Sequence, residues 1–343
     1  MTTLANTLYI TTQGAYVRRD HETLQVKVDD AVKLTVPLHH LEGVVCFGRV
    51  SLSCGVYAAC EEHDLTVSFL TEQGRFLARV VGPTQGNVLL RRQQYRLADD
   101  PAACLRLARP MIAGKIQNAR QVLLRSARDR DEETRTAALR RAAEHMAAVV
   151  GQLPGVTDLD VARGIEGETA RTYFESFNHL ILHESEAFHF DGRSRRPPLS
   201  PVNALLSFVY ALVRHDCESA LEAVGLDPAV GYLHVERPGR PSLALDLMEE
   251  FRALIADRLV LALINRRQVA PAGFETDPAG AVKMDDATRR TVLAAYAQRK
   301  REEVQHPLLK ENVPVGLLPH VQARLLARTI RGDLEEYPAL VLK

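Results

Sequence analysis

The sequence lacks the marks of membrane and disordered proteins. No run in its 343 residues approaches the roughly 18 uninterrupted apolar residues of a membrane helix. The start, Met1-Thr-Thr-Leu-Ala-Asn6, has neither the basic region nor the apolar core of a signal peptide. Apolar residues make up 46% of the chain and charged residues 25%, as in a globular protein of two domains. We therefore expect a cytoplasmic protein that has no membrane partner.

Cysteine is scarce and irregularly spaced. The five cysteines are an odd number and include no CxxC pair, which argues against a disulfide framework and a zinc ribbon. Because a free cysteine packs as a small apolar side chain, we expect all five to be reduced core residues. They are Cys46, Cys54, Cys60, Cys104 and Cys217.

Net charge is also absent, since 43 basic residues balance 43 acidic ones. This balance conceals segments of different sign. Basic and acidic residues number 7 and 9 in residues 1–90, 13 and 7 in residues 91–150, and 23 and 27 in residues 151–343. The middle segment is rich in arginine, which binds phosphate through two parallel hydrogen bonds. It is either a nucleic-acid-binding patch or a solvated helical surface in a chain that prefers arginine throughout.

The hydrophobic pattern divides the chain into two parts. Short runs with period two, and one short helix at residues 53–63, precede a turn-rich segment at residues 82–87. Helical periods follow, and they predict helices at residues 88–98, 101–128, 131–150, 157–183, 200–224, 242–267, 285–303 and 316–331.

This pattern predicts an α+β multidomain fold. We expect a small N-terminal β-sheet or β-sandwich domain at residues 1–83, a linker at residues 84–87 and a large all-α domain at residues 88–343. Short strands bury little area by themselves and leave open edges, so we expect the β domain to mediate homodimerisation.

A carboxylate lies on the apolar face of the helix predicted at residues 157–183. Glu166 shares helical spacing with Tyr173 and should therefore face the core, where a lone carboxylate needs a cation, a metal or a proton. Gly164 and Gly167 flank it and each cost about 1 kcal/mol relative to alanine, which suggests that something approaches the backbone closely. The alternative to a ligand or catalytic role is a salt bridge to Arg163.

A second polar cluster joins His234 to the helix predicted at residues 242–267. Asp246 and Glu249 are three residues apart and begin a stripe that continues with apolar residues. Glu250 leads instead toward Asp257, which we expect to be a wetter face.

These side chains together indicate a divalent metal. Carboxylate oxygens suit Mg²⁺ and Mn²⁺, and an added imidazole favours Mn²⁺. The alternative is a set of helix-surface acids beside a structural histidine. Motifs for other chemistries do not occur: the sequence has no GxxxxGK[ST], no GxGxxG after a strand, no GxSxG and no HExxH.

Four motifs follow one another along the chain, and their order is more specific than any one of them. They are Gly164-Ile-Glu-Gly167 with Ala170-Arg-Thr-Tyr-Phe174, then Pro201-Val-Asn-Ala-Leu-Leu-Ser-Phe-Val-Tyr210, then His234, then Ser242-Leu-Ala-Leu-Asp-Leu-Met-Glu-Glu-Phe-Arg252. Together they resemble the CRISPR-associated adaptation integrase, the larger of the two universal spacer-acquisition proteins. The segment Gly86–Tyr95 and the tail Leu326–Pro338 resemble its type I, subtype C branch.

The resemblance implies a site and a reaction. Glu166, His234 and Asp246 would bind Mn²⁺ or Mg²⁺, and Glu249 stands at the position of a further acid. The protein would insert short foreign DNA fragments, called spacers, into a CRISPR array through attack by a DNA 3′-hydroxyl. One departure is visible, because Ser200 stands where the family usually has Asp; serine caps a helix equally well.

The resemblance also implies partners. These are double-stranded DNA as prespacer and repeat, a second copy of the chain, a small ferredoxin-like partner that completes a heterohexamer, and an accessory exonuclease. Candidate DNA-binding residues are Arg91, Arg92, Arg163, Arg237 and Arg240. Two other functions stay open at this point, a plain metal-dependent DNase and a non-catalytic DNA-binding scaffold.

Overall fold

The computed structural model describes residues 2–4, 7–41, 43–63, 65–72, 76–80, 88–128, 132–182 and 185–342. The chain forms two compact units. The first contains Met1–Gln85 and Met284–Arg301, and the second contains Gly86–Lys283 and Glu302–Lys343. The predicted linker at residues 84–87 lies outside the described residues.

The strands of the first unit alternate with one helix. In chain order they are β1 (Thr2–Leu4), β2 (Thr7–Ile10), β3 (Ala15–Asp20), β4 (Thr23–Val28), β5 (Ala31–Pro37), β6 (Gly43–Phe47), β7 (Val50–Leu52), helix α1 (Cys54–Glu62), β8 (Thr66–Leu70) and β9 (Phe76–Val80).

Two sheets share one hydrophobic core. The five-stranded sheet has the order β1-β2-β6-β8-β9, and the four-stranded sheet has the order β5-β4-β3-β7. Strand β6 pairs in parallel with β2 and with β8, and all five of its residues are buried. Leu8, Val17, Leu24, Val44 and Val56 bring both sheets and α1 into one cluster. The predicted β domain therefore has the layered form that alternating apolar residues require.

The remaining helices and short strands follow in chain order. They are α2 (Val88–Ala98), α3 (Pro101–Arg128), α4 (Glu133–Val150), α5 (Leu159–Glu175), α6 (Pro201–Ala223), α7 (Ser242–Met248), α8 (Arg258–Asn265), β10 (Phe274–Thr276), β11 (Val282–Met284), α9 (Asp286–Arg301), β12 (Glu303–Gln305), β13 (Asn312–Pro314) and α10 (Leu318–Arg331). The predicted α+β class is confirmed. Two small sheets, β10 with β11 and β12 with β13, interrupt the helices where the sequence showed no strand pattern.

Helix α9 belongs to the first unit, although its sequence pattern did not separate it from the other helices. Arg289 of α9 is 3% exposed and donates a hydrogen bond to the Glu72 carbonyl. The same guanidinium group pairs with Asp286. A buried guanidinium with two partners anchors this helix to the β-rich unit.

Two predicted helices are shorter than their apolar patterns. The pattern at residues 157–183 forms α5 and then a 3₁₀ turn, Phe177–Leu180. The pattern at residues 242–267 forms α7, a π-helical segment at Arg252–Asp257, and α8. Ser200 caps α6 as expected, since its hydroxyl accepts a hydrogen bond from the Asn203 N–H at 3.3 Å.

All five cysteines are free, as predicted, but they are not all core residues. Four are buried, whereas Cys54 at the start of α1 is exposed. Among the described helices, none is long and apolar enough to cross a membrane.

Candidate active site

A cleft in the second unit brings together three polar side chains singled out by the sequence, Glu166, His234 and Glu249, and adds Lys115 to them. Its open volume is about 670 Å³. Lys115 of α3, Glu166 of α5, His234 of the loop before α7, and Glu249 at the end of α7 all line it. Residues from four separate segments therefore meet at one place.

Asp246 is fully buried and contacts the cleft residue His234. Its carboxylate accepts hydrogen bonds from the backbone N–H groups of Tyr232 at 2.6 Å, Leu233 at 2.9 Å and His234 at 2.9 Å. It also lies 2.7 Å from His234 Nδ1. A Cβ atom at Gly231 would lie 2.8 Å from Asp246 Oδ2, so only glycine permits this approach.

These contacts fix the orientation of His234. Asp246 is an acceptor, so Nδ1 carries the ring proton and donates a hydrogen bond to Asp246. Nε2 is then left with its lone pair, which is the arrangement that a metal-binding histidine requires. Nε2 lies 3.7 Å from Glu249 Oε1.

Glu249 is 3% exposed and surrounded by cations. Arg252 Nη2 lies 3.0 Å from its Oε1, and Lys115 Nζ lies 2.7 Å from its Oε2. Burial by itself raises the pKa of Glu249, but the positive charges of Arg252 and Lys115 outweigh burial and lower the pKa to about 2.

Lys115 also forms an ion pair with Glu166, which is a quarter exposed. The sequence offered Arg163 as the partner of Glu166, and this was wrong. Arg163 instead pairs with Asp160 at 2.6 Å and donates to the Leu233 carbonyl at 2.7 Å. A lysine from α3 therefore links the carboxylates of α5 and α7.

The two carboxylates expected on a wetter face are both buried. Glu250 is 0% exposed and Asp257 is 2% exposed. Burial raises the pKa of Glu250 to about 7 and that of Asp257 to about 6. Glu250 lies between α7 and the π-helical segment, and Asp257 lies at the end of that segment, so a uniform α-helical spacing does not hold here and gave the wrong face.

The donor set suits a hard divalent cation even though the side chains are now bridged by lysine. Within the described ranges, no three His, Cys, Asp or Glu side chains converge closely enough to hold a metal as they stand. Glu166, His234 and Glu249 nevertheless present two carboxylates and one imidazole lone pair to one cleft, a combination that fits Mn²⁺ or Mg²⁺. Asp246, the other predicted ligand, already accepts four hydrogen bonds, which is about as many as a carboxylate takes.

The glycines beside Glu166 have open space next to them. A Cβ atom at Gly164 or at Gly167 would meet nothing within 4 Å. The close approach expected from the sequence is therefore not made by the surrounding protein.

The predicted DNA-binding arginines differ in their exposure and in their contacts with the protein. Arg92 and Arg237 are exposed and Arg91 is half-buried. Arg163 is engaged as described above, and Arg240 Nη1 donates to the Val235 carbonyl at 3.3 Å.

The structure adds two arginines, Arg195 and Arg196, that the sequence did not single out; both lie near Arg240. Burial lowers the pKa of Arg240, and the nearby charges of Arg237, Arg195 and Arg196 lower it further. Arg195 also lines the cleft beside His234. We call Arg195, Arg196, Arg237 and Arg240 the arginine rim. Two loops distant in sequence form it, and no local pattern could have revealed it.

Lys115 was also missed, although a signal was present. It is the one lysine among the 13 basic residues of residues 91–150. An ammonium group is a compact charge on a flexible stem, whereas a guanidinium group is a planar fork. A single lysine in an arginine-rich segment therefore indicates a position that needs a compact charge.

Comparison with known proteins decides the family. The chain matches the model of CRISPR associated protein Cas1 over residues 8–298. It belongs to the Cas1 family. Over 336 residues it is 52% identical to CRISPR-associated endonuclease Cas1 1 of Chlorobaculum tepidum, with 98% of each chain covered. It is 50% identical over 334 residues to CRISPR-associated endonuclease Cas1 1 of Moorella thermoacetica, with 97% of each chain covered.

Another Cas1 relative is fused to a second enzyme. The CRISPR-associated exonuclease Cas4/endonuclease Cas1 fusion of Geobacter sulfurreducens is 36% identical, and the match covers 98% of this chain and 60% of that one.

Solved structures share the Cas1 fold of this chain. A casposase bound to integration product has a TM-score of 0.82 at 20% identity and covers 97% of this chain and 93% of that chain. A chain of a Cas6-RT-Cas1–Cas2 complex also has a TM-score of 0.82, at 23% identity, with 100% of this chain and 36% of that chain covered.

Proposed function

We propose that this Cas1-family chain is a divalent-metal-dependent DNA integrase and endonuclease that inserts spacers into a CRISPR array. The observation that carries this proposal is the position of His234. Its Nδ1 is fixed by Asp246, and its Nε2 faces the same cleft as Glu166 and Glu249. The name endonuclease of the relatives supports the same reaction class.

The proposal assigns different roles to the four predicted site residues. Glu166, His234 and Glu249 would hold Mn²⁺ or Mg²⁺. Asp246 would be a positioning residue, because its oxygens are occupied by four donors. A bound divalent ion would supply polarisation of the scissile phosphate and stabilisation of the attacking alkoxide.

The reaction is a transesterification. The 3′-oxygen of the incoming DNA end attacks phosphorus at the edge of a repeat, and the bond from phosphorus to the neighbouring 3′-oxygen breaks. The attacking hydroxyl gives its proton to solvent, and the departing 3′-oxygen takes one from solvent. Lys115 and Arg252 bring two positive charges to the cleft, where they offset the charge of the phosphodiester.

DNA would reach the cleft along the arginine rim. Arg195, Arg196 and Arg237 are each close enough to Arg240 to lower its pKa, and such a cluster of arginines would bind phosphate without reading bases. Arg91 and Arg92 on α2 would extend this contact along the duplex.

Partners are also part of the proposal. A homodimer formed through the β domain would bind a small ferredoxin-like partner and complete a heterohexamer. The structural neighbour in a complex with Cas2 supports such a partner, and the Cas4 fusion supports an accessory exonuclease. We also propose that the chain belongs to the type I, subtype C branch of the family and acts in the cytoplasm.

One experiment separates the proposed integrase from a plain DNase and from a scaffold. A labelled duplex with free 3′-hydroxyl ends is incubated with a supercoiled repeat plasmid, the small partner, and either Mn²⁺ or EDTA. We expect label to become covalently joined to the plasmid only with Mn²⁺. Plasmid cleavage without joining would favour the DNase, and DNA binding without either product would favour the scaffold.

A further inference from the structure

The neighbouring residues Glu249 and Glu250 have different surroundings. Glu249 lines the cleft. Glu250 is completely buried and its carboxylate contacts the C-terminal tail, residues 337–342. A movement of one residue therefore affects the other through a single peptide unit.

The tail holds Glu250 with several hydrogen bonds. Tyr337 Oη donates to Glu250 Oε1 at 2.6 Å, and the Leu340 N–H donates to Oε2 at 2.5 Å. Gln322 Nε2 of α10 donates to Oε2 at 2.9 Å. Asn118 of α3 joins the tail to the same backbone, since its Nδ2 contacts both the Glu250 carbonyl at 3.0 Å and the Leu340 carbonyl at 2.7 Å.

The backbone at Glu249 depends on such contacts because the helix is irregular there. Helix α7 ends at Met248, and the π-helical segment begins at Arg252. The Glu249 N–H donates to the Asp246 carbonyl and the Phe251 N–H to the Met248 carbonyl, each bond spanning only three residues. A regular α-helix would fix these residues through bonds that span four residues.

The tail also packs closely against α3 at Gly114. A Cβ atom at Gly114 would lie 3.1 Å from Ala339 Cβ, 3.4 Å from Glu250 Cγ and 3.5 Å from the Leu340 carbonyl oxygen. Gly114 thus leaves room for the tail directly before Lys115, which contacts Glu249. Helix α3 therefore contacts both the tail and the cleft.

We infer that Tyr337 and the tail are positioning elements for the metal site, because they hold Glu250 and thereby orient Glu249. This inference rests on the proposed function, in which Glu249 binds the divalent ion. Tyr337 acts through Glu250 and has no contact with DNA in this role.

Mn²⁺ affinity tests the inference independently of activity. Tyr337→Phe removes the hydroxyl that donates to Glu250 and keeps the ring. We expect this variant of the full-length protein to bind Mn²⁺ about tenfold more weakly, as measured by paramagnetic resonance of free Mn²⁺. DNA binding in EDTA should match that of the wild type, since the arginine rim is unchanged.

Two further variants complete the test. Glu250→Gln keeps the size of the side chain but replaces one acceptor oxygen by a donor, so it should weaken Mn²⁺ binding in the same way. It decides the matter if Tyr337→Phe fails to fold. Thr329→Val is the control, because it removes a hydroxyl that donates to the Leu325 carbonyl within α10 and should leave Mn²⁺ affinity unchanged.

The outcomes separate this inference from the proposed function. Unchanged Mn²⁺ affinity in a folded Tyr337→Phe variant with a lower melting temperature would overturn the inference, because the tail would then only stabilise the fold. A wild-type protein that binds no Mn²⁺ would overturn the metal site and the inference together. A wild type that binds Mn²⁺ but joins no DNA would overturn the reaction alone, and the affinities would still decide the role of Tyr337.

Discussion

Asp246 is a fully buried carboxylate that holds the loop before α7 and the ring of His234. Its oxygens accept three backbone N–H groups and the imidazole of His234. The sequence correctly indicated that the side chain faces inward, since helical spacing gives the face of a residue. It could not indicate the partners, because the N–H groups come from a loop 12 to 14 residues earlier in the chain.

Replacing Asp246 by asparagine should weaken the hydrogen bonds that fix the orientation of the His234 ring. The amide has one acceptor oxygen instead of two, so at least one buried N–H group loses its partner. We expect Asp246→Asn to lower the strand-transfer rate by about 10- to 100-fold and to lower the melting temperature. Asp160→Asn, at a side chain that is 85% exposed, is the matched control. Full activity of Asp246→Asn would contradict the positioning role.

Asp257 should make folding stability depend on pH. Burial raises its pKa from 3.8 to about 6, while Tyr210, Tyr173, Arg252 and Arg193 partly oppose this effect. The native state then holds a proton that the unfolded state releases, so stability falls as pH rises from the unfolded pKa through the folded pKa. The difference amounts to about 3 kcal/mol above the folded pKa.

The measurement is urea unfolding at a series of pH values. Asp257→Asn has no proton to release, so we expect its stability to fall less than that of wild type over this pH window. The amide oxygen still accepts from the Tyr210 hydroxyl, which donates at 2.6 Å in the wild type. Parallel curves for the two proteins would show that Asp257 is already charged in the native state.

At the scale of elements, the sequence predicted the helices well and their interruptions poorly. The ends of α2, α3 and α6 agree with the predicted ranges to within one residue, because each has a strong apolar period and clear end signals. The break between α7 and α8 was not foreseen. At this break Glu250 contacts the tail, and contacts between residues so far apart in the chain leave no periodic trace in the local sequence.

Helix α5 carries two glycines that stability alone does not explain. Gly164→Ala and Gly167→Ala should each stabilise the protein by about 1 kcal/mol, because a methyl group meets nothing within 4 Å and alanine favours a helix. If DNA approaches the backbone beside Glu166, the same changes should reduce strand transfer while raising the melting temperature. A lower melting temperature would mean that the glycines serve the fold itself.

At the scale of the whole molecule, a net charge of zero conceals a local cluster of positive charges. Residues 151–343 contain 23 basic and 27 acidic side chains, yet they contribute the whole arginine rim. Counting by segment located the arginines of residues 91–150 but not this cluster. Some of the predicted basic patch also serves the fold, since Arg109 donates to the Val156 carbonyl and Arg120 to the Ala143 carbonyl.

The arginine rim should bind DNA through phosphate and without sequence preference. We expect the double replacement Arg195→Ala and Arg237→Ala to weaken binding to unrelated duplexes equally. The slope of the logarithm of affinity against the logarithm of salt concentration should become shallower by about 0.9 for each lost phosphate contact, because fewer counterions are released. Arg331→Ala is the control, since Arg331 is paired with Asp333 at 3.0 Å. An unchanged slope in the double variant, measured by fluorescence anisotropy over a salt series, would make the rim a solvated surface and would move the DNA path elsewhere.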